Sequence, residues 1–309
     1  MSEYRAYRIG ERLRSLLKGT ISHGRIHSVF AHTANIEVDG SLYVFSADKG
    51  ASVRSVDIRR GLDFLTSSLE AGQPCSLTRE GAQLGQIYID FSHAETWTPK
   101  LRLGWRSICS GAAIDTYLGL LQSLHRSAGQ HKHIDAEWIR QLGHPDLADE
   151  ATRKLIGLGP GLTPAGDDIV AGALAAANHL LPRDGLALAL GAATAARATK
   201  TTDLSRQILE DAIRGDYHEF LDGLVYTLVT DDSEGIAYAL RRLLSIGSSS
   251  GSDMAAGIAT VLSALQETRE PRRLHRTWNY RKQDQHRNTG QLPLKAGNPL
   301  QNQSEVNVL

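Results

Sequence analysis

Cysteine is nearly missing from this 309-residue chain: Cys75 and Cys109 are the only two, and neither stands in a C-x-x-C spacing. That excludes a disulfide framework or a zinc ribbon and leaves two plain thiols. No apolar run approaches the roughly 20 residues that a membrane helix needs, so no membrane role is expected. The opening MSEYRAYRIGERLRS lacks the apolar core and small-residue cleavage site of a secretory signal, which makes the cytoplasm the expected compartment. H-E-x-x-H is absent, and His131-Lys132-His133 lies in a polar stretch with no evident third ligand, so no metal is expected. G-x-S-x-G is absent as well, which removes support for an α/β-hydrolase serine. GLGPGL has no Lys-Ser/Thr ending and does not complete G-x-G-x-x-G after a strand, so neither ATP nor NAD is suggested and no cofactor is expected.

An excess of charge of one sign is also lacking, since Lys plus Arg and Asp plus Glu are 34 each. The balance hides an asymmetry: residues 270–309 hold seven basic side chains against three acidic ones, a net +4, and the remainder is net −4. A nucleic-acid partner would need a basic face on the folded part, so none is expected.

What is present divides the chain in three. Residues 1–100 read as a small β-rich domain, with GRIHSVFAHTANIEV, SLYVFSA and GQIYIDFS alternating apolar and polar residues and Asp39-Gly40 marking a tight turn. Within it, SVDIRRGLDFLTSSLEAG has helical spacing and predicts a helix packed on the sheet. Residues 101–269 read as an Ala/Gly-rich, mainly helical domain, seen in SGAAIDTYLGLLQSL, DIVAGALAAANHLL, LALALGAATAARAT and DMAAGIATVLSALQ. Residues 270–309 are poor in aliphatic periodicity and rich in Arg, Gln, Asn, Gly and Pro, which predicts a basic disordered tail with Trp278 and Tyr280 as a docking spot at most. The fold class expected is α+β.

Chemistry concentrates in IGLGPGLTPAGDD, from Ile156 to Asp168. Gly157, Gly159 and Gly161 permit positive φ, Pro160 and Pro164 fix turn geometry, and a helix is predicted to start near Ala165. Such a turn presents backbone N–H groups to a phosphate or carboxylate oxygen, with Gly159, Gly161, Leu162 and Thr163 as binding candidates. Asp167 and Asp168 then fall in the first helical turn, where the dipole favours ionised carboxylates. A weak internal repeat follows: Gly166 to Gly172 and Gly251 to Gly257 share G-x-D-x-x-A-G, so Asp253 matches Asp168, and Gly247, Ser250 and Gly251 join the candidates. Two helix starts could thus converge on one ligand, although two independent caps would read the same way. KTTDLSRQIL adds Thr202 and Ser205, with Thr202 or Asp203 as a helix N-cap, and Arg206 and Arg197 are the nearby guanidinium groups that could clamp a carboxylate.

With GLGPGLTPAGDDIVAG, TTDLSRQIL and SIGSSSGSDMAAG in that order, the chain resembles, over about residues 20–265, the bacterial family of the AllH-type subunit of oxamate carbamoyltransferase. It departs from the family at Ala165, where Ser is common, and at Ser249, where Thr is common. The resemblance implies a subunit of an enzyme that moves a carbamoyl group between oxalurate and phosphate, giving oxamate and carbamoyl phosphate in allantoin and purine breakdown. It implies other carbamoyltransferase subunits as partners, and a small carboxylate, carbamoyl or phosphate ligand. On that expectation Gly159 to Thr163 hold the phosphate or carboxylate, while Asp167, Asp168 and Asp253 are the catalytic candidates, the latter two accepting from the carbamoyl NH2. A non-catalytic metabolite-binding or scaffolding subunit is the alternative, and a stand-alone amidohydrolase a third.

Overall fold

The computed structural model describes residues 3–19, 21–47, 50–58, 68–125, 134–180 and 185–269. The tail 270–309, with Trp278 and Tyr280, and the segment His131 to His133 lie outside the described residues.

The N-terminal part is a sheet of nine strands: β1 (Glu3–Gly10), β2 (Ser22–Phe30), β3 (Thr33–Val38), β4 (Ser41–Ser46), β5 (Ser55–Ile58), β6 (Pro74–Leu77), β7 (Gly81–Leu84), β8 (Ile87–Asp90) and β9 (Glu95–Trp97). Their order is β5-β4-β3-β2-β6-β7-β8-β1-β9, and an additional β1–β5 pairing closes the sheet on itself in a barrel-like ring. Closure depends on β1, which pairs with β8 through Glu3 to Arg5, with β9 through Arg8 to Gly10, and on its other edge with β5 through Ala6 to Ile9. Closing the ring leaves the ladder without a long bare edge. The turn between β3 and β4 has Asp39 at φ 49° and Gly40 at φ 71°, the left-handed pair that a two-residue hairpin requires. Alternate residues point inward, so Ile26, Ile36, Phe45, Val56, Leu77, Leu84, Ile89 and Phe91 fill the interior. A short helix, α1 (Glu11–Leu16), follows β1 and adds Leu13 to the same core.

One sequence expectation is corrected here. The helix predicted from Ser55 begins instead as β5, because Ser55–Ile58 pairs with both β1 and β4 and all four residues are buried; residues 59–67 are outside the described set. The β-branched Val56 and Ile58 suit that doubly paired position.

The helical region holds α2 (Gly111–His125), α3 (Ala136–Gln141), α4 (Ala148–Leu155), α5 (Ala165–Leu180), α6 (Leu186–Ala195), α7 (Asp203–Ile213), α8 (Glu219–Val229), α9 (Ser233–Leu244) and α10 (Ser250–Arg269), with a short 3-10 turn at Ala198–Lys200. Every residue from Gly166 to Leu180 is buried, so α5 is the central helix, with α4, α6, α7 and α8 against it. Its small side chains allow that enclosure. A Cβ on Gly172 would overlap the carbonyl of Met254, and one on Gly257 would overlap the carbonyl of Ile169. The two glycines occupy equivalent places in the internal repeat, as do Met254 and Ile169, so α5 and α10 meet through a reciprocal pair of glycine-to-carbonyl contacts.

Ion pairs and hydrogen bonds tie the sheet to the helices. Arg8 bridges Asp57 at 2.8 Å and Glu219 at 2.9 Å, Arg12 pairs with Asp216, Arg54 pairs with Asp211 at 2.9 Å, and Arg102 pairs with Glu11 at 2.6 Å. Ala51 N–H donates to Glu219 Oε2, while Glu219 N–H donates back to the Ala51 carbonyl. No described helix is long and apolar enough to cross a membrane.

Candidate functional site

The turn from Ile156 to Pro164 connects α4 to α5, and its glycines adopt the positive φ their spacing suggests: 80° at Gly157, 125° at Gly159 and 92° at Gly161. At Gly157 a Cβ would lie 2.8 Å from the Lys200 carbonyl, and at Gly159 it would lie 2.8 Å from the Ala165 nitrogen, whereas Gly161 faces open space. Gly159, Gly161 and Leu162 are exposed. The helix-start amides are already engaged: Gly166 N–H donates to the Leu158 carbonyl, and Asp167 and Asp168 N–H both donate to the Pro164 carbonyl. The α10 start is satisfied similarly, with Gly251 N–H on the Ile246 carbonyl and Asp253 N–H on the Ser249 carbonyl. Any anion at the first turn would therefore meet the N–H groups of Gly159, Gly161, Leu162 and Thr163 rather than a bare helix end.

Asp167 and Asp168, adjacent in sequence, face different surroundings. The buried Asp167 carboxylate accepts from Gly157 N–H at 2.8 Å, from the Ser205 hydroxyl at 2.7 Å and from the Thr201 hydroxyl. Thr202 caps α7 by accepting from Ser205 N–H at 3.1 Å and donates its own proton to the Leu162 carbonyl. The threonine-rich segment is thus a clasp that fixes the glycine turn in place. Arg206 is engaged with Asp203 on the exposed face of α7, and Arg197 with Asp149, so neither is the guanidinium of the cavity described next.

Asp168 instead lines a cavity of about 780 Å³ between the sheet and the helices. Thr163, Asp168, Ala171, Gly247, Ser250 and Met254 form one side, at the starts of α5 and α10. Opposite them stand Phe30 to Thr33, Asn35, Leu42, Val44, Ser46 and the segment Ser52–Ser55; α7, Asp216 to His218, Phe220 and Leu221 complete the wall. Of the residues singled out from the sequence, the structure places Thr163, Asp168, Gly247 and Ser250 on this wall. Asp253 is fully buried close behind it, Gly251 is pressed against the Leu243 carbonyl, and the remaining candidates belong to the turn and its clasp. The Thr163 and Ser250 hydroxyls lie 3.1 Å apart, joining the two helix starts.

Asp168 is 1% exposed, and its Oδ2 meets no hydrogen-bond partner among the described residues. Burial pushes its carboxyl up to about 8, the Ser250 hydroxyl opposing the shift, Asp253 and Asp167 adding to it, and Thr163 opposing. This corrects the expectation that the helix dipole keeps Asp168 ionised: near neutral pH it is mainly a protonated acid, because desolvation outweighs the dipole. A neutral carboxyl offers one O–H donor and one carbonyl acceptor side by side.

Sequence reasoning missed the sheet side of the wall. Arg54 is mostly buried, and is the one Arg or Lys among the described wall residues; its Nε donates to Asp211 Oδ2 at 2.9 Å, and its guanidinium lies over the Tyr43 ring. The available signal was an arginine set among Val53, Val56 and Ile58, a charge inside an apolar strand pattern.

Two family models match the chain: the AllH family N-terminal domain over residues 5–96, and oxamate carbamoyltransferase subunit AllH over residues 155–262. The chain belongs to the AllH family. Comparison with curated proteins and with solved structures found no match. The second AllH region contains the glycine turn, its clasp and both helix starts, while the first contains Arg54 and the sheet wall, so the cavity draws residues from both.

Proposed function

We propose that this AllH-family chain binds the carbamoyl-bearing substrate of a carbamoyltransferase complex, with Asp168 as the residue that reads the carbamoyl group. The reading rests on one observation above others: a buried carboxyl, one of whose oxygens has no hydrogen-bond partner among the described residues, on a residue that lines a large cavity. As a protonated acid, Asp168 donates to the carbamoyl C=O and accepts from its NH2, a two-bond match that neither a carboxylate nor a hydroxyl alone provides. Arg54 supplies the positive group for a carboxylate on the same molecule.

The reaction is transfer between oxalurate, or a related ureido acid, and phosphate. The phosphate oxygen attacks the carbamoyl carbon, the C–N bond breaks, and the phosphate proton passes to the departing nitrogen, leaving oxamate and carbamoyl phosphate. Thr163, the residue of the turn that lies on the cavity wall, with the N–H groups of Gly161 and Leu162 next to it in the chain, is the proposed phosphate contact, and Asp253 supports Asp168 from the neighbouring helix. A subunit that binds substrate while a partner chain performs the transfer is the second reading, favoured by the internal engagement of the helix-start amides.

The test is phosphate-dependent carbamoyl phosphate formation from oxalurate by the complex purified with its native partners. Asp168→Leu should lower turnover by about a hundredfold, consistent with loss of two directed hydrogen bonds. Asp168→Asn, which keeps one donor and one acceptor, should retain far more activity. Unchanged turnover in Asp168→Leu would sink the site. Turnover by the isolated chain would overturn the binding-only reading, and oxalurate binding without turnover would support it.

A further inference from the structure

The cavity is far larger than oxamate, the acid named in the family description. A water molecule takes about 30 Å³ of liquid, so nine heavy atoms of oxalurate would occupy only a minor share of about 780 Å³. Most of the remaining wall is apolar: Phe30, Leu42 and Val44 come from the sheet side, and Leu204, Ile208 and Met254 from the helices. Such a surface gains nothing from a small, strongly hydrated anion and favours a guest with carbon to bury. The charges on the wall argue the same way. Arg54 shares its charge with Asp211 through Nε, and Asp216 is paired with Arg12, so among the described wall residues the positive charge suits a single carboxylate rather than a doubly charged phosphate ester.

We infer that the ligand of this cavity is a ureido or carbamoyl monocarboxylic acid with an aromatic or long aliphatic body, its head at Asp168, its carboxylate toward Arg54 and its body on the apolar wall. The inference rests on the proposed role of Asp168 and extends it from a chemical group to a substrate class. Oxalurate then fills only the head of the site.

Titration calorimetry on the full chain, with and without its partners, decides the matter using oxalurate and N-carbamoylphenylalanine as probes. N-carbamoylphenylalanine should bind at least about tenfold tighter, the range expected for burying a large apolar group. Ile208→Trp, which fills the cavity from α7, should reduce that preference to below about threefold, and Val44→Phe should do so from the sheet side, a check if either variant folds poorly. Equal or tighter binding of oxalurate, lost on Asp168→Leu, would overturn the size inference and leave the head site standing. Binding of either probe that survives Asp168→Leu unchanged, or no binding of either, would overturn both.

Discussion

At Asp167 three donors surround one carboxylate, while one residue later Asp168 has an oxygen with no partner among the described residues. The sequence identified both acids and the turn before them, but could not assign their separate tasks. A helix rotates successive side chains by about 100°, and the partners that distinguish them, Thr201 and Ser205 on one side and Ser250 on the other, are distant in the chain. The raised Asp168 carboxyl makes a stability prediction. Between its ordinary value of 3.8 and about 8, the native state holds a proton that the unfolded chain has released, so stability falls as pH rises through that window. Asp168→Asn removes this dependence. Thermal melts should show the variant equal to wild type near pH 4 and more stable above pH 8, by on the order of 5 °C. A parallel pair of pH profiles would contradict the assigned protonation state.

Among the elements, the α5–α10 pair was partly legible. The repeated G-x-D-x-x-A-G showed two small-residue helix starts, yet not that Gly172 and Gly257 each face the other helix's carbonyl. That reciprocity depends on how two helices dock, which a single helix's periodicity does not encode. Gly172→Val or Gly257→Val should cost about 3 kcal/mol or more, since a backbone carbonyl cannot move aside as a flexible side chain would. Urea unfolding of each variant measures this; a cost below about 1 kcal/mol in both would refute the close contact. Among the strands, β1 went unread because YRAYRIG is interrupted by arginines. Arg8 makes sense only in the closed ring, where it meets Asp57 on β5 and Glu219 at the start of α8, while Arg5 is exposed near Asp90.

For residues 1–266 taken together, the change from β-rich to helical was visible in composition, but the cavity was not. Its wall joins Arg54 to Asp211, 157 positions apart, and no local pattern signals such a meeting. The ion pairs away from the cavity differ in worth. Asp57 is fully buried and raised by burial, with Arg8 as the main opposing charge, so Arg8→Met strands a buried carboxyl and should cost about 3 kcal/mol. Arg102→Met removes a pair that water already screens and should cost under about 1 kcal/mol. Denaturant midpoints for the two variants test the ranking, and equal losses would count against it.

The two sides of the cavity are built with different stiffness. Backbone pressed on backbone at Gly172 and Gly257 gives the helical side no slack, whereas the sheet wall meets the helices through side-chain ion pairs such as Arg54 with Asp211. A guest between them is met by fixed backbone on one side and by side chains with rotamers to choose from on the other.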